Sequence, residues 1–294
     1  MKRQAARPWS RFGWISAVLG GVLLALCLVG AKKAPACREG QVATPVPARP
    51  HPRAGYLVYA HSHNDYEHER PLFDALNQGF YSVEADVYFD GGRLSVAHNG
   101  WWGFKGTLQK LYLEPLQARV EARGSVHGDG LPFTLWVELN KGSPEMIDAL
   151  HALLEQYPML TRFQDGELIP GKVTIVLTGN ARGKEDFVTR FPRRNAVRDS
   201  NDYSPDDPPA DGGWLYYALN WSRYLSLSSS GRLDDEQRAR LACIIENAHA
   251  SGRKVRFYGA PDNPEAWKVA LEFGVDFINT DDLSGLRSFL EQPR

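Results

Sequence analysis

The sequence predicts an α/β protein with a single barrel domain of the (β/α)8 or TIM type. Two observations predict this fold: apolar strand-like segments alternate with helix-like segments, and the alternation spans about 240 residues, a usual length for one such barrel. The eight predicted strands are residues 57–60, 81–89, 133–139, 172–178, 195–198, 214–219, 254–258 and 275–279. A doubly wound open sheet is the alternative, although no Gly-x-Gly-x-x-Gly motif follows the first strand.

Residues that favour helix ends mark the predicted helices. Pro71 stands at the start of the first helix and Gly79 just past its end, which is the usual asymmetry of helix termini. Ser143 is a good cap for the helix after the third strand, with Pro144 in its first turn. Helices are predicted over residues 71–78, 107–122, 144–157 and 234–251, from residue 263, and after the last strand.

The first 36 residues are typical of a signal peptide or a membrane anchor. A basic start precedes an uncharged run from Gly13 to Ala31, and Ala34-Pro35-Ala36 resembles a signal cleavage site. The same run is just long enough for an uncleaved anchor, which would hold the protein at a membrane through residues 13–31. Either way the folded domain is expected outside the cytoplasm, in the periplasm or the extracellular space. Residues 37–55 are rich in proline and are predicted to be a linker, so the barrel occupies residues 56–294.

Charge and cysteine content exclude several classes of protein. The first 36 residues hold six bases and no acid; without them, 28 of the 34 bases remain against 35 acids, a balance of about −7. A basic groove for nucleic acid is therefore not expected. Three cysteines exclude a disulfide-dense scaffold and a four-cysteine zinc site, although Cys37 and Cys243 could pair in an oxidising compartment.

Three carboxylates are expected to gather at the carboxyl ends of the strands. Glu84 and Asp86 are two apart in the second strand, so both point to one face, and Glu138 lies near the end of the third. Solvent-facing acids on an edge strand are the alternative. Inside a barrel, however, clustered carboxylates are costly unless they are paired or bind a metal ion. Oxygen ligands of this kind favour one divalent cation, Mg²⁺ or Ca²⁺.

Histidines are expected beside these acids. His61 ends the first strand, and His98 ends the extended segment that follows the second strand. Two histidines next to a bound cation suit general acid–base chemistry. His63, Asn64 and Asp65 come next to His61 and are predicted either to contact the substrate or to form a turn that caps the next helix.

One stretch resembles a known superfamily. Residues 60–99, AHSHNDYEHERPLFDALNQGFYSVEADVYFDGGRLSVAHN, resemble the glycerophosphodiester phosphodiesterase and phosphatidylinositol-specific phospholipase C superfamily of TIM barrels. They are most similar to the branch typified by altered inheritance of mitochondria protein 6, together with the downstream segment LQKLYLEPL. The strong match covers residues 60–117, and TLWVELNKG and GVDFINTDD are weaker matches further along the chain.

The resemblance implies roles for matching residues. His61 and His98 match the two catalytic histidines, while Glu84, Asp86 and Glu138 match the metal-binding acids. Many relatives also carry a phosphate-holding lysine two residues after the third acid. Asn140 occupies that position here, and Lys141 comes one residue later, on the opposite side of an extended chain. His63 stands where many relatives carry Arg-Gly, so phosphate binding is expected to differ.

The expected function is metal-dependent hydrolysis of a phosphodiester, either a glycerophosphodiester or a phospholipid head group. One histidine would take a proton from water or a substrate hydroxyl, and the other would protonate the leaving oxygen. The alternative is a weakly active or inactive barrel that binds a phosphorylated ligand or an envelope partner. The sequence leaves open the head group, the choice of Mg²⁺ or Ca²⁺, the oligomeric state and which histidine acts as the acid.

Overall fold

A computed structural model describes residues 35–43, 57–98, 100–227 and 232–292. The predicted signal or anchor segment, apart from its last two residues, and residues 44–55 of the predicted linker lie outside the described residues. No helix within the described ranges is long and apolar enough to cross a membrane.

Strands and helices largely alternate, with one helix that was not predicted, at Ala181–Arg190, and, among the described residues, no helix between the strands Val197–Ser200 and Trp214–Asn220. The strands are β1 (Leu57–Ser62), β2 (Phe80–Asp90), β3 (Arg93–Val96), β4 (Gly106–Thr107), β5 (Phe133–Leu139), β6 (Arg162–Gln164), β7 (Glu167–Ile169), β8 (Val173–Gly179), β9 (Val197–Ser200), β10 (Trp214–Asn220), β11 (Lys254–Tyr258) and β12 (Ile278–Thr280). The helices are α1 (Phe73–Asn77), α2 (Glu114–Arg123), α3 (Pro144–Leu154), α4 (Ala181–Arg190), α5 (Trp221–Tyr224), α6 (Asp235–Ala250), α7 (Pro264–Glu272) and α8 (Leu283–Leu290).

The main sheet is TIM-barrel-like. Its parallel strands follow one another in chain order, from β1 through β2, β5, β8, β9 and β10 to β11, while β12 pairs with β1 on the other side. A parallel bridge between Arg256 of β11 and Phe277, just before β12, joins the two ends of this path. A doubly wound sheet would reverse the strand order at a switch point, so the alternative fold is not observed.

Two short antiparallel strands extend the sheet next to β2. β3 pairs with the end of β2, with Val87 opposite Val96, and β4 pairs with β3. His98 comes two residues after β3, and the hairpin brings this predicted catalytic segment back beside Asp86, whose carbonyl accepts from the N–H of Ala97. β6 and β7 form a separate hairpin.

Two apolar clusters hold the barrel together. The larger lies between the sheet and its helices and includes Val83, Ala85 and Val87, the outward-facing residues of β2. The smaller fills the inside of the barrel with Trp136, Val176, Val197, Tyr216, Ala218 and Phe277. The inward-facing polar residues of β2 therefore lie next to a closed aromatic core.

The segment before the barrel is attached to it. Cys37 forms a disulfide with Cys243 of α6, and Ala36 is buried. The Tyr203 hydroxyl donates to the carbonyl of Ala36 (2.8 Å), and the Gln41 side chain hydrogen-bonds Asn247. The described beginning of the predicted linker is thus packed against the domain.

Candidate active site

Two carboxylates lie side by side at the carboxyl-end opening of the barrel, called the mouth below. Asp86 of β2 is in register with Glu138 of β5, so both side chains point inward at the same level. Burial raises the pKa of Asp86 to about 7, and the negative charges of Glu138 and Glu84 add to this effect. Burial and the charge of Glu84 also raise the pKa of Glu138. These two acids are incompletely neutralised and can accept a proton or a cation.

The third predicted acid is already paired. Both carboxylate oxygens of Glu84 accept hydrogen bonds from the two terminal nitrogens of Arg256, each at 2.8 Å. Both side chains are buried, and the guanidinium group lies over the ring of Trp136. Burial opposes ionisation of Glu84, but the charge of Arg256 and its two hydrogen bonds outweigh it and hold the pKa of Glu84 well below the usual range.

His61 lies deeper than the sequence predicts. It is opposite Ser82 inside the barrel, below the level of Asp86, and it is completely buried. Its Nε2 lies 2.6 Å from Arg256, which can only donate, so Nε2 is the acceptor and Nδ1–H donates to the Ser82 hydroxyl (2.7 Å). Burial, with the charge of Arg256, lowers the pKa of His61 to about 4. His61 therefore lies beside Glu84, as the sequence predicts, but inside the barrel rather than on its rim.

His63 lies at the mouth itself. Its Nδ1 is 2.9 Å from Oδ1 of Asp281, and its Nε2 is 3.9 Å from Oε2 of Glu84. Burial favours the neutral ring, but the hydrogen bond to Asp281 and the charge of Glu84 outweigh it and raise the pKa of His63. Its side chain is 31% exposed, which leaves one edge of the ring open to solvent.

His98 is exposed and is connected to the acids through a tyrosine. Its Nδ1 lies 2.9 Å from the hydroxyl oxygen of Tyr66, whose single proton is donated to Oδ1 of Asn64 (3.0 Å). Burial and the nearby negative charge of Asp86 raise the pKa of Tyr66. Tyr66 is buried, so it fixes the position of the His98 ring relative to Asp86.

Asp65 is enclosed by hydrogen-bond donors of the protein. It is buried and accepts hydrogen bonds from the Ser62 hydroxyl, the Tyr112 hydroxyl and the backbone N–H of Leu72, the residue before α1. Its carboxylate connects β1 to the segments before α1 and α2, but no side chain caps α1, so the expected helix cap is not formed. A direct substrate contact by Asp65 is not supported by this arrangement.

Lys141 is exposed and stands apart from the paired acids. It lines a cleft of about 1060 Å³ together with Tyr88, Phe89, Arg93 and Phe104. Tyr88 follows Asp86 on the same side of β2, and its hydroxyl donates to the carbonyl of His98. The cleft therefore borders the mouth, and Lys141 lies in its lining because the strand has already ended at Leu139 and no longer fixes the side on which Lys141 lies.

A second buried ion pair lies in the barrel interior. Lys184 of α4 contacts Asp199 of β9 and donates to Oδ1 of Asn201 (2.7 Å). Burial raises the pKa of Asp199 against the opposing charge of Lys184. Thr178 is opposite Glu138 and beside Asp199, so the Lys184–Asp199 pair lies at the level of the acids of the mouth, while Arg256 lies deeper with Glu84.

The predicted acids fit a divalent cation only in part. Asp86 and Glu138 are adjacent oxygen donors, and Oδ1 of Asp86 is buried without a hydrogen-bond partner. Glu84 uses both oxygens on Arg256. Among the described side chains, no three histidine, cysteine or carboxylate groups are arranged to ligate one ion.

Sequence reasoning missed three side chains of this site. Arg256, Tyr66 and Asp281 contact Glu84, His98 and His63 respectively. Arg256 had a detectable signal, because a charged residue in the middle of the apolar strand KVRFY needs a buried partner. Asp281 follows the last strand, so it could either reach the rim or cap α8; Asp282 fills the capping role, and Asp281 reaches the rim.

Family models match both halves of this site. Residues 54–129 match the AIM6-like phosphodiesterase domain, and residues 254–284 match the glycerophosphoryl diester phosphodiesterase family. The first match contains the histidines and Glu84 and Asp86, and the second contains Arg256 and Asp281.

Similar proteins agree with these models. Proteins called altered inheritance of mitochondria protein 6 are 27% identical in Candida glabrata (78% of this chain, 70% of the relative), 27% in Eremothecium gossypii (86% and 74%) and 30% in Lachancea thermotolerans (76% and 63%). The crystal structure of a glycerophosphodiester phosphodiesterase from Agrobacterium tumefaciens superposes with a TM-score of 0.51 at 14% identity, over 80% of this chain and all of that one, which supports the fold. The resemblance seen in the sequence is confirmed.

Proposed function

We propose, with the likeness to AIM6-like phosphodiesterase domains as the premise, that this protein hydrolyses phosphodiesters, either glycerophosphodiesters or phospholipid head groups. One observation carries the proposal: histidines and incompletely neutralised carboxylates share the mouth of a TIM-like barrel. Active sites of such barrels lie at this end. A phosphodiester needs a base for its nucleophile and an acid for its leaving oxygen, and histidine can supply both near neutral pH.

The proposal includes one divalent cation, Mg²⁺ or Ca²⁺, beside Asp86 and Glu138. Two adjacent carboxylates repel an anionic phosphodiester, and the unpartnered Oδ1 of Asp86 supports a cation there. Glu84 would be a third ligand only if it gave up contacts with Arg256. When bound, the ion would neutralise charge on the phosphoryl oxygens.

The chain's own side chains hold and move protons. His98 is exposed at the mouth and would exchange a proton with the substrate, while Tyr66 holds its Nδ1 and so leaves Nε2 directed elsewhere. The family resemblance implies that His61 is the other catalytic histidine; it lies within the barrel beside Arg256 and Glu84. Asn64 supports Tyr66 through its side-chain oxygen.

We also propose that the domain works outside the cytoplasm. The disulfide between Cys37 and Cys243 supports this location, because such bonds persist in oxidising compartments. Association with a membrane through residues 13–31 belongs to the same proposal.

The test is hydrolysis by the full-length protein. Glycerophosphodiesters, lysophospholipids and inositol phospholipids are incubated with Mg²⁺, Ca²⁺ or EDTA, and the released product is measured. We expect turnover of at least one class, loss of that turnover in EDTA, and a fall of about 10²–10⁴ in kcat for His98→Ala.

His249→Ala is the control variant, since His249 pairs with Asp276 near the amino ends of β11 and β12, away from the mouth. It should retain the wild-type rate. If no phosphodiester is turned over, the alternative of a barrel that only binds a phosphorylated ligand or an envelope partner replaces this proposal.

A further inference from the structure

The deep position of His61 raises the question of which histidine works with His98. Both ring nitrogens of His61 are engaged, Nε2 by Arg256 and Nδ1 by Ser82, and its side chain has no exposed surface. A proton-transfer group must reach a substrate oxygen within hydrogen-bond distance. His61 could do so only after its contacts in the interior were broken.

His63, two residues later, has the opposite surroundings. Nearly a third of its side-chain surface is exposed. The carboxylate of Asp281 takes the hydrogen bond of Nδ1–H, which leaves Nε2 as the working nitrogen on the side of Glu84. A histidine whose second nitrogen is held by a carboxylate has a fixed tautomer and ring orientation.

Asp281 is itself fixed in place. It follows β12, and its backbone N–H donates to Oδ2 of Asp262 (2.8 Å). The pairing of β12 with β1 sets the distance between Asp281 and His63, because Ser62 is opposite Thr280. The pairing of β1 with β12, which closes the barrel, therefore also holds His63 next to Asp281.

We infer that His63, aligned by Asp281, is the proton-transfer partner of His98, and that His61 is a core residue that holds Arg256 against Glu84. The inference rests on the proposed phosphodiesterase function and assigns the residue that carries the second proton transfer. His63 would exchange one proton between Nε2 and either the nucleophile or the leaving oxygen, so no oxidant or further reactant is needed.

The first experiment combines substitution with chemical rescue. His63→Ala is expected to lower kcat by about 10²–10⁴ for the substrate found in the screen. Added imidazole should raise the kcat of His63→Ala at least about tenfold, because the vacated position opens to solvent and free imidazole can transfer the proton instead. His249→Ala is the matched control, a second histidine paired with a carboxylate, and should show neither loss nor rescue.

The second experiment tests alignment by Asp281. Asp281→Asn should lower kcat in the wild-type background but cause little further loss in His63→Ala, because an aligning residue has nothing left to align. An independent structural defect would instead lower the rate in both backgrounds.

Two results would overturn the inference: a His63→Ala variant that stays within about tenfold of the wild-type rate, or a loss that imidazole leaves unchanged. If His98→Ala abolishes turnover while His63→Ala does not, this inference fails and the proposed function stands. Absence of turnover in the wild-type protein would instead remove the proposed function.

Discussion

The ion pair between Arg256 and Glu84 is the most consequential single contact of the barrel interior. Each partner is almost completely buried, and the two hydrogen bonds between them are both 2.8 Å long. Arg256→Met removes the counter-ion and leaves a carboxylate buried without compensation. We expect the free energy of unfolding, measured by urea denaturation, to fall by about 3–5 kcal/mol.

A double variant separates lost charge pairing from lost packing. Adding Glu84→Gln to Arg256→Met removes the unpaired charge and should recover part of the stability. The exposed pair Arg70–Asp74 is the comparison: Arg70→Met should cost roughly 0–1 kcal/mol. Arg256→Met with a similarly small cost would show that Glu84 does not depend on this partner.

For single residues, the alternation of side chains along a strand predicted the face to which a residue points, but the sequence did not predict where a strand ends. The shared face of Glu84 and Asp86 follows from a period of two, and the register of β2 with β5 puts Glu138 beside Asp86. The depth of His61 was not predictable, because β1 continues to Ser62, beyond the apolar run that ends at Ala60. Its contact with Arg256 joins residues 195 positions apart, and no local pattern encodes it.

Among the secondary-structure elements, the first residues of the helices were predicted best from the sequence. Ser143 accepts from the backbone N–H of Met146 and begins α3, and Asn263 does the same for Ala266 and begins α7. These caps act within one turn of chain, so the sequence contains all their parts. The turn of π-helix at Gln109–Leu113 before α2 was missed, since it changes hydrogen bonding without changing the apolar spacing.

The loop after α2 makes stability depend on pH. A ring nitrogen of His127 lies 2.8 Å from the Phe80 carbonyl, and the ring packs against Tyr81. Burial lowers the pKa of His127 below its ordinary value of 6.5, in spite of this hydrogen bond. The unfolded chain therefore binds this proton more readily than the folded protein, and stability falls as pH drops below about 6.5.

His127→Gln keeps a hydrogen-bond donor but does not titrate. We expect its free energy of unfolding to fall less steeply than that of the wild type between pH 7 and pH 5, measured by urea denaturation at a series of pH values. Above about pH 7.5 His127 is neutral in both the folded and the unfolded chain, so the free energies of unfolding of the two proteins should change with pH in the same way. This range serves as the internal control. Parallel slopes in the acid range would exclude His127 as a source of the pH dependence.

For the whole molecule, the order of strands was predictable, and the attachment of the N-terminal segment was predictable only at its cysteine. Alternating strands and helices leave few topologies, and a chain-order parallel sheet is the simplest of them. The expected pairing of Cys37 with Cys243 is formed, but residues 37–55 have no hydrophobic period, so nothing local indicates that Ala36 is buried. This packing depends on partners about 200 residues away, which only the folded barrel brings close.

The disulfide closes residues 37–243, which include β1 to β10, into one loop, and this leads to a prediction for overall stability. Cys37 and Cys243 are 206 residues apart, and cross-linking so long a loop restricts the unfolded chain more than the folded one. Cys37→Ser should lower the free energy of unfolding by about 2–5 kcal/mol in urea denaturation. Dithiothreitol should lower the wild type to the level of the variant and leave the variant itself unchanged. A reduced wild-type protein as stable as the oxidised one would show that the hydrogen bonds of Ala36 and Gln41, rather than the covalent link, hold this segment on the barrel.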